Sequence, residues 1–214
     1  MEELLAKFGP YVPFTTLNII KKLLDKRSRS VLDMGCGKGR PMKFLNREHR
    51  FYTVGLDIYK PYLVEAKKNG THDDYVLCDI RYAPIKRKSF DVILAIEVIE
   101  HLDKTDGAKL LRDIERLARR QIIISTLVHK CEQGVCNNNP YQKHKCLWSP
   151  GELLSFGYTV KGVGFRGMFG KDGLAHRTPL IFRPILYILW FFAGILTYNK
   201  PSYASSIICF KNLA

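Results

Sequence analysis

Short apolar runs alternate along most of this chain with longer stretches in which apolar residues recur every three or four positions. The short runs Val31-Leu32-Asp33-Met34, Phe51 to Asp57, Tyr75 to Asp79, Phe90 to Ile96 and Gln121 to Thr126 read as strands. Between them, Pro41 to Leu45 opens a helix, and Pro61 to Lys68 forms another with proline in its first turn and Lys67-Lys68 in its last. A third helix runs from about Asp103 to Arg119, with Ala108, Leu110, Leu111, Ile114 and Leu117 on its apolar side. Regular alternation of this kind predicts an α/β fold, a doubly wound and mostly parallel sheet with crossover helices on both faces. The most apolar run, Phe90 to Ile96, belongs at its centre.

Both ends of the pattern carry additions. Apolar residues from Leu4 to Leu24, broken at Gly9-Pro10 and Pro13, predict one broken or two short helices within residues 1–28. Residues 127–148 form a polar loop too long for a plain connection, which fits a lid. Ser149-Pro150-Gly151-Glu152 starts a short helix with the residues of a capping box. Two final strands, Tyr158 to Val163 and Ser205 to Phe210, are separated by an insertion over residues 166–204 that no hairpin requires. Within it, Ile185 to Leu196 is apolar on every side of a helix, so it must be buried in protein or in lipid. It is shorter than the roughly 20 residues of a bilayer span. The whole chain, 1–214, reads as a single domain.

The candidate chemistry begins at Gly35-Cys36-Gly37-Lys38-Gly39, between the first strand and the first helix. Glycines there let a ligand lie against the backbone, where the free N–H groups of the helix face it. The spacing is shorter than a dinucleotide fingerprint, and Asp33 just ahead of it suits an ammonium group better than a phosphate. Asp57 ends the second strand about 20 residues beyond the glycines, the place from which a carboxylate accepts from a ribose diol, and Ile58 and Tyr59 follow it as cover for an adenine face.

Charge changes the picture in one respect. A formal net charge of +14 points to a basic surface suited to nucleic acid or an anionic membrane. The amino terminus lacks the apolar core of a signal peptide, so a cytoplasmic location is expected, with peripheral contact to the inner membrane face. Six cysteines then read as free thiols. Cys131, Cys136, His144 and Cys146 have an irregular spacing for zinc, and no metal is assigned.

These residues together resemble the class I S-adenosylmethionine-dependent methyltransferases from Ser30 to Thr126, and the two final strands are similar to that family's closing antiparallel pair, which makes seven strands in a Rossmann-like sheet. The resemblance rests on Val31 to Gly39, Asp57, Asp79 and Phe90 to Leu102, in that order. It implies S-adenosylmethionine as cofactor, with Gly35, Cys36 and Gly37 under its methionine part, Asp57 on the ribose, Asp79 and Ile80 beside the adenine, and Glu97 near the methionine end. Methyl transfer is an in-line displacement, and a base helps only where the acceptor must lose a proton. His101 is the first candidate for that base and His144 the second. Asn139-Pro140-Tyr141 resembles part of a base-methylating motif but follows the fifth strand instead of the fourth. The expected acceptor is a small molecule or a lipid-linked one, methylated at oxygen, with Lys161, Arg166, Lys171, Arg177 and Arg183 drawing the insertion to an anionic membrane. The alternatives are an RNA methyltransferase and a non-catalytic, cofactor-binding partner subunit.

Overall fold

The structure, a computed structural model, describes residues 11–128, 139–166 and 174–213. Helix α1 (Thr16–Leu23) leads into β1 (Ser30–Met34), α2 (Arg40–Leu45), β2 (Tyr52–Asp57), α3 (Lys60–Lys68), β3 (Asp74–Leu77), β4 (Phe90–Ile96), α4 (Lys104–Leu117) and β5 (Ala118–Leu127). The remainder supplies α5 (Pro150–Ser155), β6 (Thr159–Val163), α6 (Leu174–Arg177), α7 (Arg183–Asn199) and β7 (Ser206–Asn212). One seven-stranded sheet results, in the order β3-β2-β1-β4-β5-β7-β6. The first five strands pair in parallel, and β7 runs antiparallel to both β5 and β6.

Alternation along β4 explains why both faces must be covered. Val92 and Leu94 pack with Ile19, Ile20, Met42 and Ile123 on one side, whereas Ile93 and Ala95 pack with Leu110, Leu111, Ile114 and Trp148 on the other. Helix α4 ends at Leu117, two residues earlier than its pattern predicts, because Ala118 is already extended and pairs with Phe90. Strand β5 therefore starts ahead of its apolar run. Its polar first residues are held by backbone pairing and by Arg119, which reaches Asp91 at 3.3 Å.

At the amino terminus the described part of the expected helical segment is α1; residues 1–10 lie outside the described residues. The capping box at Ser149 forms, with the Ser149 hydroxyl accepting from the Glu152 N–H at 3.2 Å and the Glu152 carboxylate accepting from the Ser149 N–H at 2.8 Å.

The insertion helix α7 is neither buried on every side nor long enough to span a bilayer. Its inner face lies on β6 at Gly162, where a Cβ would collide with the Thr197 carbonyl, and Phe14 meets Phe191 and Tyr198 edge-on at 5.9 Å each. Leu186, Gly194 and Thr197 are buried there. Ile185, Ile188, Leu189, Phe192, Ile195 and Leu196 form the opposite face and are exposed. Only β6 of the strands flanking the insertion is an edge; β7 is interior, which gives α7 a rim to pack against. Among the described residues no helix is long and apolar enough to cross a membrane.

Candidate active site

Backbone bonds tie the glycine turn to the end of β2. The Cys36 N–H donates to the Leu56 carbonyl and the Gly37 N–H to the Asp57 carboxylate, both at 2.8 Å. A second N–H, from Tyr59, meets the other Asp57 oxygen at 2.7 Å, so the carboxylate is oriented on both sides. Burial pushes its pKa up against the pull of those N–H groups. Gly35 has φ +72°, and a Cβ there would stand 2.6 Å from a Val98 methyl, so only glycine keeps this wall open. Gly39 meets a packing demand: it caps α2 at φ +72° with Thr71 against its missing side chain, and it lines neither cavity described below. Burial, aided by Asp33 and Asp57, pushes the Cys36 thiol far up, which makes it an inert wall.

Two adjoining cavities open along the carboxyl ends of the parallel strands, the place where open α/β sheets bind ligands. One, of about 460 Å³, is walled by Asp57, Ile58, Asp79, Ile80 and Val98. The other, of about 610 Å³, is walled by Asp33, Cys36, Gly37, Tyr62 and His144. Gly35, Glu97, His101 and Gln142 belong to both, so the two are parts of one cleft. Each is of the size that small-ligand sites have.

Tertiary contacts alter several of the expected roles. Asp33 is buried and its carboxylate accepts from the His72 ring Nε2–H at 3.1 Å, so part of its capacity is spent inside the protein. Asp79 is clasped by Arg81, whose side chain meets both carboxylate oxygens and also reaches Asp106 at 2.7 Å. Those bonds hold the Asp79 carboxyl below its usual range. Ile58 lines the cleft, whereas Tyr59 packs edge-on against Tyr62 at 4.9 Å and lines neither cavity.

Past β4 the chain turns sharply. Glu97 sits at φ +54°, a left-handed conformation unusual for glutamate and of the kind that gathers at functional sites. Its N–H is held by the Ser125 carbonyl at 3.0 Å, and a 3-10 turn over Ile99–His101 follows. The Glu100 carbonyl accepts from the N–H groups of Lys145 and Cys146, at 2.8 and 3.3 Å, which draws the segment after the undescribed residues 129–138 across the mouth of the cleft. His101 and His144 consequently face each other with ring centroids 5.0 Å apart. Desolvation lowers the His101 pKa, keeping the ring neutral near pH 7. Burial pushes Glu97 up, and it pushes Glu100 to about 7.

The residues that pattern reading passed over are those whose roles depend on a distant partner. His72, Arg81 and Gln142 carry no local signal. Trp148, fully buried, donates its indole N–H to the Ile99 carbonyl at 3.3 Å and fits over Gly107, where a Cβ would be 2.7 Å from the indole. It anchors the segment that carries His144. Asn139, Pro140 and Tyr141 wall the smaller cavity, so that segment belongs to the site although it follows β5. Of the cysteine set weighed for zinc, Cys131 and Cys136 lie outside the described residues, and the Cys146 thiol faces the Ile99 carbonyl at 3.6 Å.

Known proteins resemble the chain in a consistent way. A family model described as a methyltransferase domain matches residues 32–124. An uncharacterised protein of Methanocaldococcus jannaschii is 31% identical over 98% of this chain and 86% of its own length. The probable tRNA methyltransferase 9B of Homo sapiens is 32% identical over 44% of this chain, which is 19% of that protein. In fold, a crystal structure of a SAM-dependent methyltransferase from Archaeoglobus fulgidus superposes with a TM-score of 0.59 at 17% identity, covering 99% of this chain and 94% of that one.

Proposed function

The chain belongs to the class I S-adenosylmethionine-dependent methyltransferase family, and from that premise we propose that it methylates a small-molecule or lipid-linked acceptor at oxygen, on an anionic membrane surface. It is an enzyme, and its cofactor is S-adenosylmethionine. The residues present fit that cofactor: Gly35 leaves a wall no side chain may occupy, Asp57 offers an oriented carboxylate, and Asp33 and Glu97 bring negative charge to the glycine side. Asp57 would hold the ribose hydroxyls, Ile58, Asp79 and Ile80 would flank the adenine, and Cys36 and Gly37 would lie under the methionine part.

Bound there, S-adenosylmethionine supplies an electrophilic methyl group on a positive sulfur. The protein's share is alignment, exclusion of water and control of one proton. Gln142 and His144 line the same cavity as the glycine turn. His101, neutral and partly screened from water, takes up the proton of an acceptor hydroxyl.

The observation that carries the membrane reading is the exposed apolar face of α7. Six large side chains from Ile185 to Leu196 meet solvent on one side of a helix, on a chain of net charge +14, with Lys200 at its end and Lys161 bonded to Asn199 at 3.2 Å. An apolar face among basic residues matches an anionic lipid surface. The test is sedimentation with phosphatidylglycerol vesicles against phosphatidylcholine ones, followed by extraction of lipids after incubation with methyl-labelled cofactor. The double variant Leu189→Ser, Phe192→Ser should bind anionic vesicles at least about tenfold less, since each side chain carries on the order of 1 kcal/mol or more of apolar burial. Equal binding of wild type and variant, or none at moderate salt, would sink the membrane reading. RNA is the second reading, favoured by the charge and by the likeness to a probable tRNA methyltransferase; it requires the label in RNA and binding that weakens steeply with salt.

A further inference from the structure

One turn and one strap bring together a set of side chains that the cofactor does not require. Glu100 and His101 lie on the 3-10 turn after β4, and His144 lies on the segment whose Lys145 and Cys146 N–H groups bond the Glu100 carbonyl. A carboxylate oxygen of Glu100, a ring nitrogen of His101 and a ring nitrogen of His144 all fall within 4.8 Å of one another. We propose that Glu100, His101 and His144 bind a divalent first-row transition-metal ion, whose open positions face the cleft and take the acceptor's oxygen.

The state of Glu100 is an independent reason. Its residue is fully buried, and one carboxylate oxygen accepts from the Thr126 hydroxyl at 3.0 Å. The other oxygen, Oε1, has no hydrogen-bond partner among the described residues. A buried carboxylate left half satisfied is costly, and such groups call for an explanation. A cation beside it supplies one.

The setting of His101 is another. Its Nδ1 lies 3.3 Å from the Lys143 carbonyl, and a carbonyl only accepts, so Nδ1 carries the proton. That leaves Nε2 with a free lone pair on a ring whose orientation is fixed. Metal-ligating histidines are held in this way by a backbone carbonyl on their other nitrogen.

The distances are compatible with a metal. Donors at about 2.0 to 2.2 Å from an ion stand roughly 3.3 to 4.4 Å apart, which small side-chain rotations achieve from the present spread. Two imidazoles and a carboxylate suit manganese, iron or zinc better than magnesium or calcium. Three protein ligands leave positions open, the mark of a catalytic rather than a structural site. Of the three ligands, His101 and His144 line the larger cavity and Glu100 is buried behind it, so the open positions lie on the side where substrate binds.

The use made of the metal rests on the reading of the enzyme as an oxygen methyltransferase; its binding does not. With the hydroxyl of the acceptor on the ion, its proton is lost more easily and passes to Glu97, and the histidines act as ligands where the metal-free site would use His101 as base. The oxygen pair forms the new O–CH3 bond while the C–S bond breaks, its electrons staying on sulfur as a neutral thioether. Atoms and charge balance without an oxidant or reductant.

Mn²⁺ is the probe of choice because thiolates bind it poorly, so Cys131, Cys136 and Cys146 do not compete. The chelator-treated protein should take up one equivalent of Mn²⁺ in calorimetry, with loss of the free-ion electron paramagnetic resonance signal. His144→Ala and Glu100→Gln should each weaken binding at least about tenfold. No saturable uptake by wild type, or the same affinity in His144→Ala, overturns the proposal. Binding of S-adenosylmethionine by the metal-free wild type is measured alongside, and a cooperative thermal melt shows that His144→Ala is folded. Cofactor binding with no metal uptake defeats the metal site alone, whereas metal uptake with methyl transfer unchanged by the chelator defeats its role in acceptor activation.

Discussion

Asp79 shows how a single residue's task is split between stability and ligand. At the end of β3 it stands where the cofactor's adenine is expected, yet Arg81 occupies both its oxygens, at 3.0 and 2.6 Å, and holds its pKa below the ordinary 3.8. A carboxyl that titrates lower in the folded state contributes stability above the unfolded pKa, and that contribution is lost as pH falls through the folded one. Asp79→Asn should therefore lower the melting temperature at pH 7, and the gap to wild type should close as the pH drops below about 3.8. A gap that stayed constant from pH 7 to pH 3 would mean the carboxylate's charge is not what Arg81 uses. Asp33 is the parallel case, with His72 taking the oxygen that residue type alone would have assigned to a ligand.

At the scale of elements, the short α5 has six residues and depends on its cap more than on propensity. Ser149 closes the box with Glu152, and Glu152 also meets Lys104 of α4 at 2.7 Å. Next to this cap, Trp148 fills the space over Gly107. Ser149→Ala should cost about 1 kcal/mol in denaturant unfolding. The same change should leave cofactor affinity within about twofold, because Trp148 rather than the cap pins the strap to Ile99. A loss of cofactor affinity comparable to the loss of stability would place the cap in the site's support. Helix α7 makes the opposite point. Its composition is apolar throughout, but Gly162 and Phe14 accept only one side, and the exposed side is free for whatever surface the protein meets.

Across the whole molecule, the parallel strands β1, β4 and β5 are covered on both faces, while β3 is an edge with exposed or half-buried residues along its length. Amide exchange should be slowest in β4 and β5, approaching the global unfolding free energy, and faster by orders of magnitude in β3. Equal protection in β3 and β4 would contradict that grading. The sequence by itself determined the order of strands and helices, the glycine turn, and the acids at the strand ends Asp57 and Asp79, because each depends on residues close in the chain: periodicity for the elements, missing side chains for the turn. It also sufficed for the family, since those signals come in a fixed order. Only the tertiary structure decided that Asp33 pairs with His72, that Gly39 serves packing, that Tyr59 turns to Tyr62, and that one face of α7 stays exposed. It alone brought His144 to Glu100 and His101 from the far side of a long loop. The physical reason is that these meetings are set by packing between remote segments, here the burial of Trp148 against Ile99 and Gly107, and no local pattern encodes which surfaces a buried side chain will join.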